Sequence, residues 1–220
     1  MVHTEQLSVG APGPLEASEL AALVALIRDV KPLWLSDHLG FRCTQEVDLG
    51  SPVPLSFNPR TLDLVAARVC RIMDACRLPL LLENLNSPLV VQGTLSEPAF
   101  LNRLCAMTGC GVLLDVTGLF VSSRNHGFDA LAWLQELDPA CVVQVHVGGC
   151  RENDGRWEDA HAGPVPEEVW ALLAEVLQRG SIEALVLERD AGFPSPEELA
   201  RELRRMKALA DAGDRIGTDA

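Results

Sequence analysis

An incomplete α/β barrel of the TIM type, with about six strand-helix units, is the fold this chain predicts, and three observations predict it. Short apolar runs recur in WLSDH, LLLEN, VLLD, VVQVH and ALVLE. None alternates apolar with polar residues and each is soon followed by a helical pattern, the habit of strands buried on both faces of a parallel sheet. Each run stops on a side chain able to bind a metal or a proton: His38, Glu83 with Asn84, Asp115, His146 and Glu188. Finally, no GxGxxG or Walker-type loop follows any strand, so a nucleotide-binding doubly wound sheet lacks its usual signature. In a barrel the C-terminal strand ends share one face, so these side chains are expected to meet in one site.

The remaining pattern fills in the units in order. VHTEQLSV reads as a strand end carrying His3, and residues 15–30 as a helix with Leu20, Leu23, Val24 and Ile27 along one side. The strand at 33–38 leads into a long loop, 39–57, holding Gly40, Gly50, Pro52 and Pro54, a length typical of functional loops. Asn58-Pro59 caps and opens a helix to Cys76, after which LPLLLEN is a strand and 85–95 a loop. Ser96 caps a helix to Thr108, and 111–116 is the next strand. FVSSRNHG reads as a polar loop with His126, and 128–137 as a short helix. A strand at 141–146 precedes a second long loop, rich in Gly and charge, to Val165. Pro166 opens a helix with the stripe Val169, Trp170, Leu172, Leu173, Val176 and Leu177, closed by Gly180. After the strand 184–188, Ser195-Pro196-Glu197-Glu198 forms a capping box that starts a helix to about Ala210.

Composition sets the limits of this reading. A 48% hydrophobic chain of 220 residues can bury one sizeable core and shows no interdomain linker, so residues 1–210 are expected to form one barrel-like domain and 211–220 a flexible tail. A net charge of -13 without any Lys/Arg cluster argues against a nucleic-acid partner, which needs concentrated positive charge. No apolar run has the length of a membrane span, and the N-terminus lacks the basic and apolar regions of a signal peptide, which points to the cytoplasm. Seven cysteines, an odd number without CxxC spacing, read as reduced thiols filling the core.

The chemistry lies in the strand ends and the loops after them. All five histidines, His3, His38, His126, His146 and His161, fall there. With Glu83, Asp115, Asp159 and Glu188 they offer more imidazole and carboxylate than one metal can use. Mixed His/carboxylate sets suit iron, manganese or zinc, and the absence of a thiolate pattern argues against Fe–S clusters and structural zinc. Two or three carboxylate-bridged metals fit this inventory. The plainer alternative is that a strand-end His or Asp caps a helix or satisfies a loop amide, and that His126, Asp159 and His161 are ordinary loop polars. Five buried strands each ending on a ligand type is the coincidence that alternative does not absorb.

In this order, WLSDHLGF, LLLENLNSP, GVLLDVTGLFVSSRNHG, VVQVHVGG, EDAH and LVLERD resemble the DUF692 family, the multinuclear non-heme iron-dependent oxidative enzymes, from His3 to about Leu209. The resemblance implies a TIM barrel holding two, or at most three, irons as Fe(II)/Fe(III). It implies oxidation of a ribosomally made precursor peptide with O₂ as co-substrate, at Cys or a carboxylate residue, and a small partner protein that binds the peptide leader. It implies metal-ligand roles for His3, His38, Glu83, Asp115, His146, Asp159, His161 and Glu188. Glu83, His146 and Glu188 are the catalytic candidates, and Glu83 and Glu188 the candidates for bridging or bidentate ligation. The loops 39–57 and 147–165 are then expected lids and peptide-contact surfaces.

Two departures from the family pattern are visible. Six units are two short of a complete barrel of about 250 residues, so either the start is recorded late or the member is truncated, and poor solubility or oligomerisation of the chain as it stands is expected. Thr117-Gly118 stands where the family has D-V-N-N, which removes an amide from that place and with it support for a third metal. Two rival readings remain at this level: a divalent-metal sugar isomerase or epimerase of the xylose-isomerase-like barrel group, and a truncated non-catalytic member.

Overall fold

The computed structural model describes residues 1–44 and 47–217, with 214–217 by backbone alone. Two compact units, Met1–Val112 and Leu113–Ala220, divide the chain within one strand.

The first unit contains β1 (Val2–His3), α1 (Ala17–Val30), β2 (Leu35–His38), β3 (Phe41–Cys43), β4 (Asp48–Val53), α2 (Pro59–Cys76), β5 (Leu80–Glu83) and α3 (Glu97–Thr108), and ends on the first residues of β6 (Gly111–Asp115). Its sheet is parallel in the order β1-β2-β5, with His3 opposite Ser36 and His38 opposite Glu83. That register sets the ligand-type residues side by side at the strand ends. Leu80, Leu81 and Leu82 are almost wholly buried, so both faces of β5 are covered, as its lack of alternation requires. Helix α2 begins and ends as expected. The Asn58 side chain accepts the Thr61 N–H at 3.0 Å, and Leu62, Val65, Ala66, Val69 and Ile72 form its buried stripe. From the same helix the buried Arg68 guanidinium donates to the carbonyls of Ser8 and Gly13, holding the chain that follows His3.

One expectation for this unit needs correction. The stretch 39–57 is not all loop: β3 and β4 pair as an antiparallel hairpin directly after His38. Most of β4 is exposed, so neither face carries the apolar alternation that would have marked it as a strand. The hairpin's connecting residues 45–46 lie outside the described residues.

The second unit takes up the end of β6 and continues with α4 (Val116–His126), α5 (Ala130–Glu136), β7 (Val142–Gly148), β8 (Cys150–Asn153), β9 (Arg156–Asp159), α6 (Glu167–Arg179), β10 (Ala184–Glu188) and α7 (Pro196–Gly217). Strands β7 and β10 are parallel, with Val186 opposite His146. The expected stripe of α6 is buried in full, and Arg205 of α7 covers the Trp170 ring at 4.9 Å. The capping box forms as read: Ser195 N–H donates to Glu198 Oε2 at 2.9 Å, and Glu198 N–H to Ser195 Oγ at 3.3 Å.

Three stretches of this unit differ from expectation. FVSSRNHG is not a loop but the body of α4, because the Asp115 carboxylate caps the Thr117 N–H at 2.9 Å and Gly127, at φ 73°, ends the helix in the left-handed region. Its polar residues disguise a buried stripe of Val116, Leu119, Phe120 and Ser123 at helical spacing. The loop after His146 holds the hairpin β8–β9, turned by Asp154 and Gly155, both at positive φ. Helix α7 runs to Gly217, past its expected end near Ala210. Across the two units, β1, β2, β5, β6, β7 and β10 are each followed by a helix, which is the six-unit alternation the sequence predicts.

Candidate metal centres

His3, His38 and Glu83 converge in the first unit, their ligand atoms within 4.8 Å of one another. Each ends a parallel strand, so the register itself assembles them. Nε2 of His3 lies 3.4 Å and Nε2 of His38 3.5 Å from Glu83 Oε2, and the two rings meet edge to face with centroids 5.0 Å apart. The Ser36 hydroxyl, 2.8 Å from His3 Nδ1, fixes that ring with Nε2 toward Glu83. Beside it, Asp37 is almost wholly buried. It accepts from Thr4 Oγ1 at 2.7 Å, Leu7 N–H at 2.9 Å and His38 N–H at 2.6 Å, which ties the segment after His3 to β2. Burial pushes the Asp37 carboxyl above the usual range, against the opposing pull of the Leu7 N–H.

Asp115, Asp159 and His161 converge in the second unit, again within 4.8 Å. Here His161 Nε2 lies 3.1 Å from Asp159 Oδ1 and 3.6 Å from Glu188 Oε2, while Nδ1 faces Asp190 Oδ2 at 3.1 Å. His146, only 1% exposed, presents Nδ1 to Glu188 Oε2 at 3.3 Å and has its Nε2 2.6 Å from the Gln144 amide nitrogen. Asp159 beside the ring, with Asp115 and Glu188 behind it, holds the His161 imidazolium up at about 10 against its burial. The dominant field of this group is negative. The same surroundings, burial first and Asp159 next, push the Cys150 thiol up to about 12, so it is no ready thiolate.

The glycine pair of VHVGG has a geometric reason. A Cβ on Gly149 would stand 2.2 Å from the Ala162 carbonyl oxygen, and one on Gly148 2.8 Å from the His161 ring. Only glycine lets the segment bearing His161 lie against the end of β7. His161 itself holds φ 42°, a left-handed conformation uncommon for a side-chain-bearing residue.

These donors fit a metal. Asp159 Oδ1 and His161 Nε2 are buried and face each other at 3.1 Å without hydrogen-bond alignment, a state that a cation accepting both would relieve. His3 and His161 each turn Nε2 toward a carboxylate while Ser36 or Asp190 engages Nδ1, the arrangement usual for metal-ligating histidine, and His146 turns Nδ1 toward Glu188 with the Gln144 amide nitrogen at its Nε2. Oxygen and imidazole donors without thiolate suit iron, manganese or zinc. Among the described residues no cysteine belongs to either group: Cys76, Cys105 and Cys110 are buried, Cys43, Cys141 and Cys150 half-buried, and Cys70 exposed.

All eight expected ligand positions therefore fall at or beside these groups, and His126, in the last turn of α4, lies in neither. Thr117 is unsuited to replace a ligating amide. Its hydroxyl is engaged by the Gly148 N–H at 2.7 Å and the Gly148 carbonyl at 3.1 Å. The supporting residues Ser36, Asp37, Gln144 and Asp190 escaped the sequence reading, although Ser36 and Gln144 each stand two places before a strand-end histidine, on its side of the strand.

Strand-helix alternation and acid-imidazole groups at strand ends define a TIM-barrel-type protein with candidate metal centres, and solved structures bear out the fold. Endonuclease IV from Thermus thermophilus matches at a TM-score of 0.57 and 21% identity, covering 96% of this chain and 76% of that one. D-psicose 3-epimerase from Clostridium cellulolyticum matches at 0.51 and 14% identity, over 99% and 76%. The chain belongs to the family described as RiPP precursor modification enzyme MbnB/TglH/ChrH, which matches residues 1–211. Among its relatives, a UPF0276 protein of Rhizorhabdus wittichii is 35% identical over 96% of this chain and 76% of its own length. A UPF0276 protein of Caulobacter vibrioides is 33% identical over 97% and 77%. The DUF692-type resemblance read from the motifs is thus the chain's family, and that family is one of enzymes. No helix among the described residues is long and apolar enough to cross a membrane.

Proposed function

We propose that this protein is an iron-dependent oxidative enzyme that modifies a ribosomally synthesised precursor peptide, at Cys or a carboxylate residue, with O₂ as co-substrate. The observation that carries the reading is the coincidence of a peptide-modifying family match over residues 1–211 with two acid-imidazole groups able to hold a metal. His3, His38 and Glu83 would hold iron in the first unit. Asp115, Asp159 and His161 would do so in the second, with His146 and Glu188 beside them. Bound iron supplies the capacity to activate O₂ and to polarise a substrate thiolate or carboxylate.

The chain's own residues prepare that chemistry. Ser36 orients His3, and Asp37 anchors the short strand that carries it, so the ring is held before any metal arrives. Glu83, only 5% exposed, keeps its carboxylate between two imidazoles and away from bulk water. Glu188 likewise faces both His146 and His161, so each of the two glutamates is placed to bridge or to bind in a bidentate way. Glu83, His146 and Glu188 are accordingly the residues assigned catalytic roles. The hairpins β3–β4 and β8–β9 follow His38 and His146, and their mostly exposed strands β4 and β8 are the edges an extended peptide would meet. A small partner protein that holds the leader, and a cytoplasmic site of action on a newly made peptide, complete the reading.

The test is the iron content of protein expressed with added iron and purified without oxygen, by elemental analysis and Mössbauer spectroscopy, beside a Glu83→Ala/His146→Ala double variant. Roughly two irons per chain, lost in the variant, is the expected result. Little iron in a folded protein, or iron indifferent to both substitutions, would overturn the assignment.

A further inference from the structure

Gln144 has no exposed surface and precedes His146 by two residues on β7. Side chains alternate along a strand, so both lie on one face, and the amide nitrogen stands 2.6 Å from His146 Nε2. The ring's other nitrogen, Nδ1, is the one turned to Glu188 Oε2, at 3.3 Å. This orientation is the reverse of the other engaged imidazoles. His3 meets Ser36, and His161 meets Asp190, through Nδ1, so both present Nε2 to the carboxylates.

We propose that Gln144 is a positioning residue of the second group, holding His146 so that Nδ1, not Nε2, is the ring's metal-binding atom. The proposal rests on the reading that this group binds metal. A ring nitrogen ligates through its lone pair, so the proton of a ligating neutral His146 must sit on Nε2 and needs an acceptor there. Without metal, the proton is best placed on Nδ1, toward Glu188, and Nε2 needs a donor instead.

A carboxamide is the side chain that meets both demands, since half a turn of its end group exchanges NH₂ for oxygen. At a fully buried position the distinction matters, because an unpartnered ring nitrogen has no water to turn to. Leucine could serve neither state and glutamate only the metal-bound one.

The experiment follows His146 by long-range ¹H–¹⁵N correlation in histidine-labelled protein, metal-free and with Zn²⁺ as a diamagnetic probe, while calorimetry reads Zn²⁺ affinity. Wild type is compared with Gln144→Leu and the near-isosteric Gln144→Glu. Expected for wild type is an Nδ1–H ring without metal and an Nε2–H ring with it. Gln144→Leu should lose about 10–100-fold in affinity, and Gln144→Glu should keep affinity while carrying its proton on Nε2 even without metal. A Gln144→Leu protein with wild-type affinity and wild-type tautomers would overturn the proposal. Should wild type take up no Zn²⁺, the metal reading falls. The metal-free tautomers of wild type and Gln144→Leu then decide separately whether Gln144 controls the ring.

Discussion

The two donor groups reach the same chemistry by different construction. In the first unit all three ligand-type residues end adjacent parallel strands, and backbone register alone brings His38 beside Glu83. In the second unit Asp115 ends a strand, but Asp159 closes a hairpin and His161 follows it in a left-handed conformation. The first group has two imidazoles to one carboxylate, and the second gathers Asp115, Asp159 and Glu188 about His146 and His161. A site made by sheet register is stiff from the start. One made by a loop folded over a strand end depends on small residues that let the loop lie close.

Substitutions can break this contrast, and the largest effect is expected at the candidate ligands. Glu83→Ala leaves two imidazoles without their carboxylate, and metal affinity at the first group should fall beyond the roughly 10–100-fold typical of removing a supporting partner. Titration with Mn²⁺ checks this, and wild-type affinity in the variant would remove Glu83 from the site. Next comes Gly149→Ala, whose added methyl cannot fit against the Ala162 carbonyl and should cost about 1–3 kcal/mol or more. It should also displace His161 while leaving His3 and His38 undisturbed. Thermal unfolding and histidine NMR report the two effects, and resonance changes shared equally by His161, His3 and His38 would deny the local character claimed for the second site.

Asp37→Ala should be milder. It takes the buried carboxylate away from the half-buried Thr4 hydroxyl and from the Leu7 and His38 N–H groups that donate to it, a loss of about 1–3 kcal/mol. The N-terminal strand should loosen first, visible as faster hydrogen exchange near His3. Unchanged exchange there would mean β1 is held by other contacts. Smallest is Ser36→Ala, which removes one hydrogen bond from His3 Nδ1, worth about 0.5–1.5 kcal/mol. A tautomer mixture at His3 by ¹⁵N NMR is the expected sign, and a single unchanged tautomer would show that Ser36 does not orient the ring.

Much of this was legible in residue order. Asn58-Pro59, Ser96 and Ser195 with Glu198 act as caps at the places their types indicate, because capping is satisfied within a few residues of chain. The failures share a cause. Helix α4 was hidden because Ser122, Ser123, Arg124 and Asn125 look like a loop until Phe120 and Trp157 pack edge to face, centroids 5.0 Å apart, and Asn125 clamps the Trp157 backbone on β9. Both hairpins carry mostly exposed residues, so pairing rather than hydrophobic pattern defines them, although Asp154-Gly155 is a turn signal in its own right.

Composition and short-range order alone determined the α/β class, the six-unit alternation and the ligand types at the strand ends, because periodicity and capping are properties of neighbouring residues. Tertiary structure alone decided which donors meet: His3 with His38 and Glu83, Asp115 with Asp159 and His161, and His146 with Glu188. It also decided which nitrogen of each ring is offered, since Ser36, Asp190 and Gln144 exert their hold only once strands are in register and loops have closed. Ring orientation is a through-space property, and no local pattern of residues encodes it.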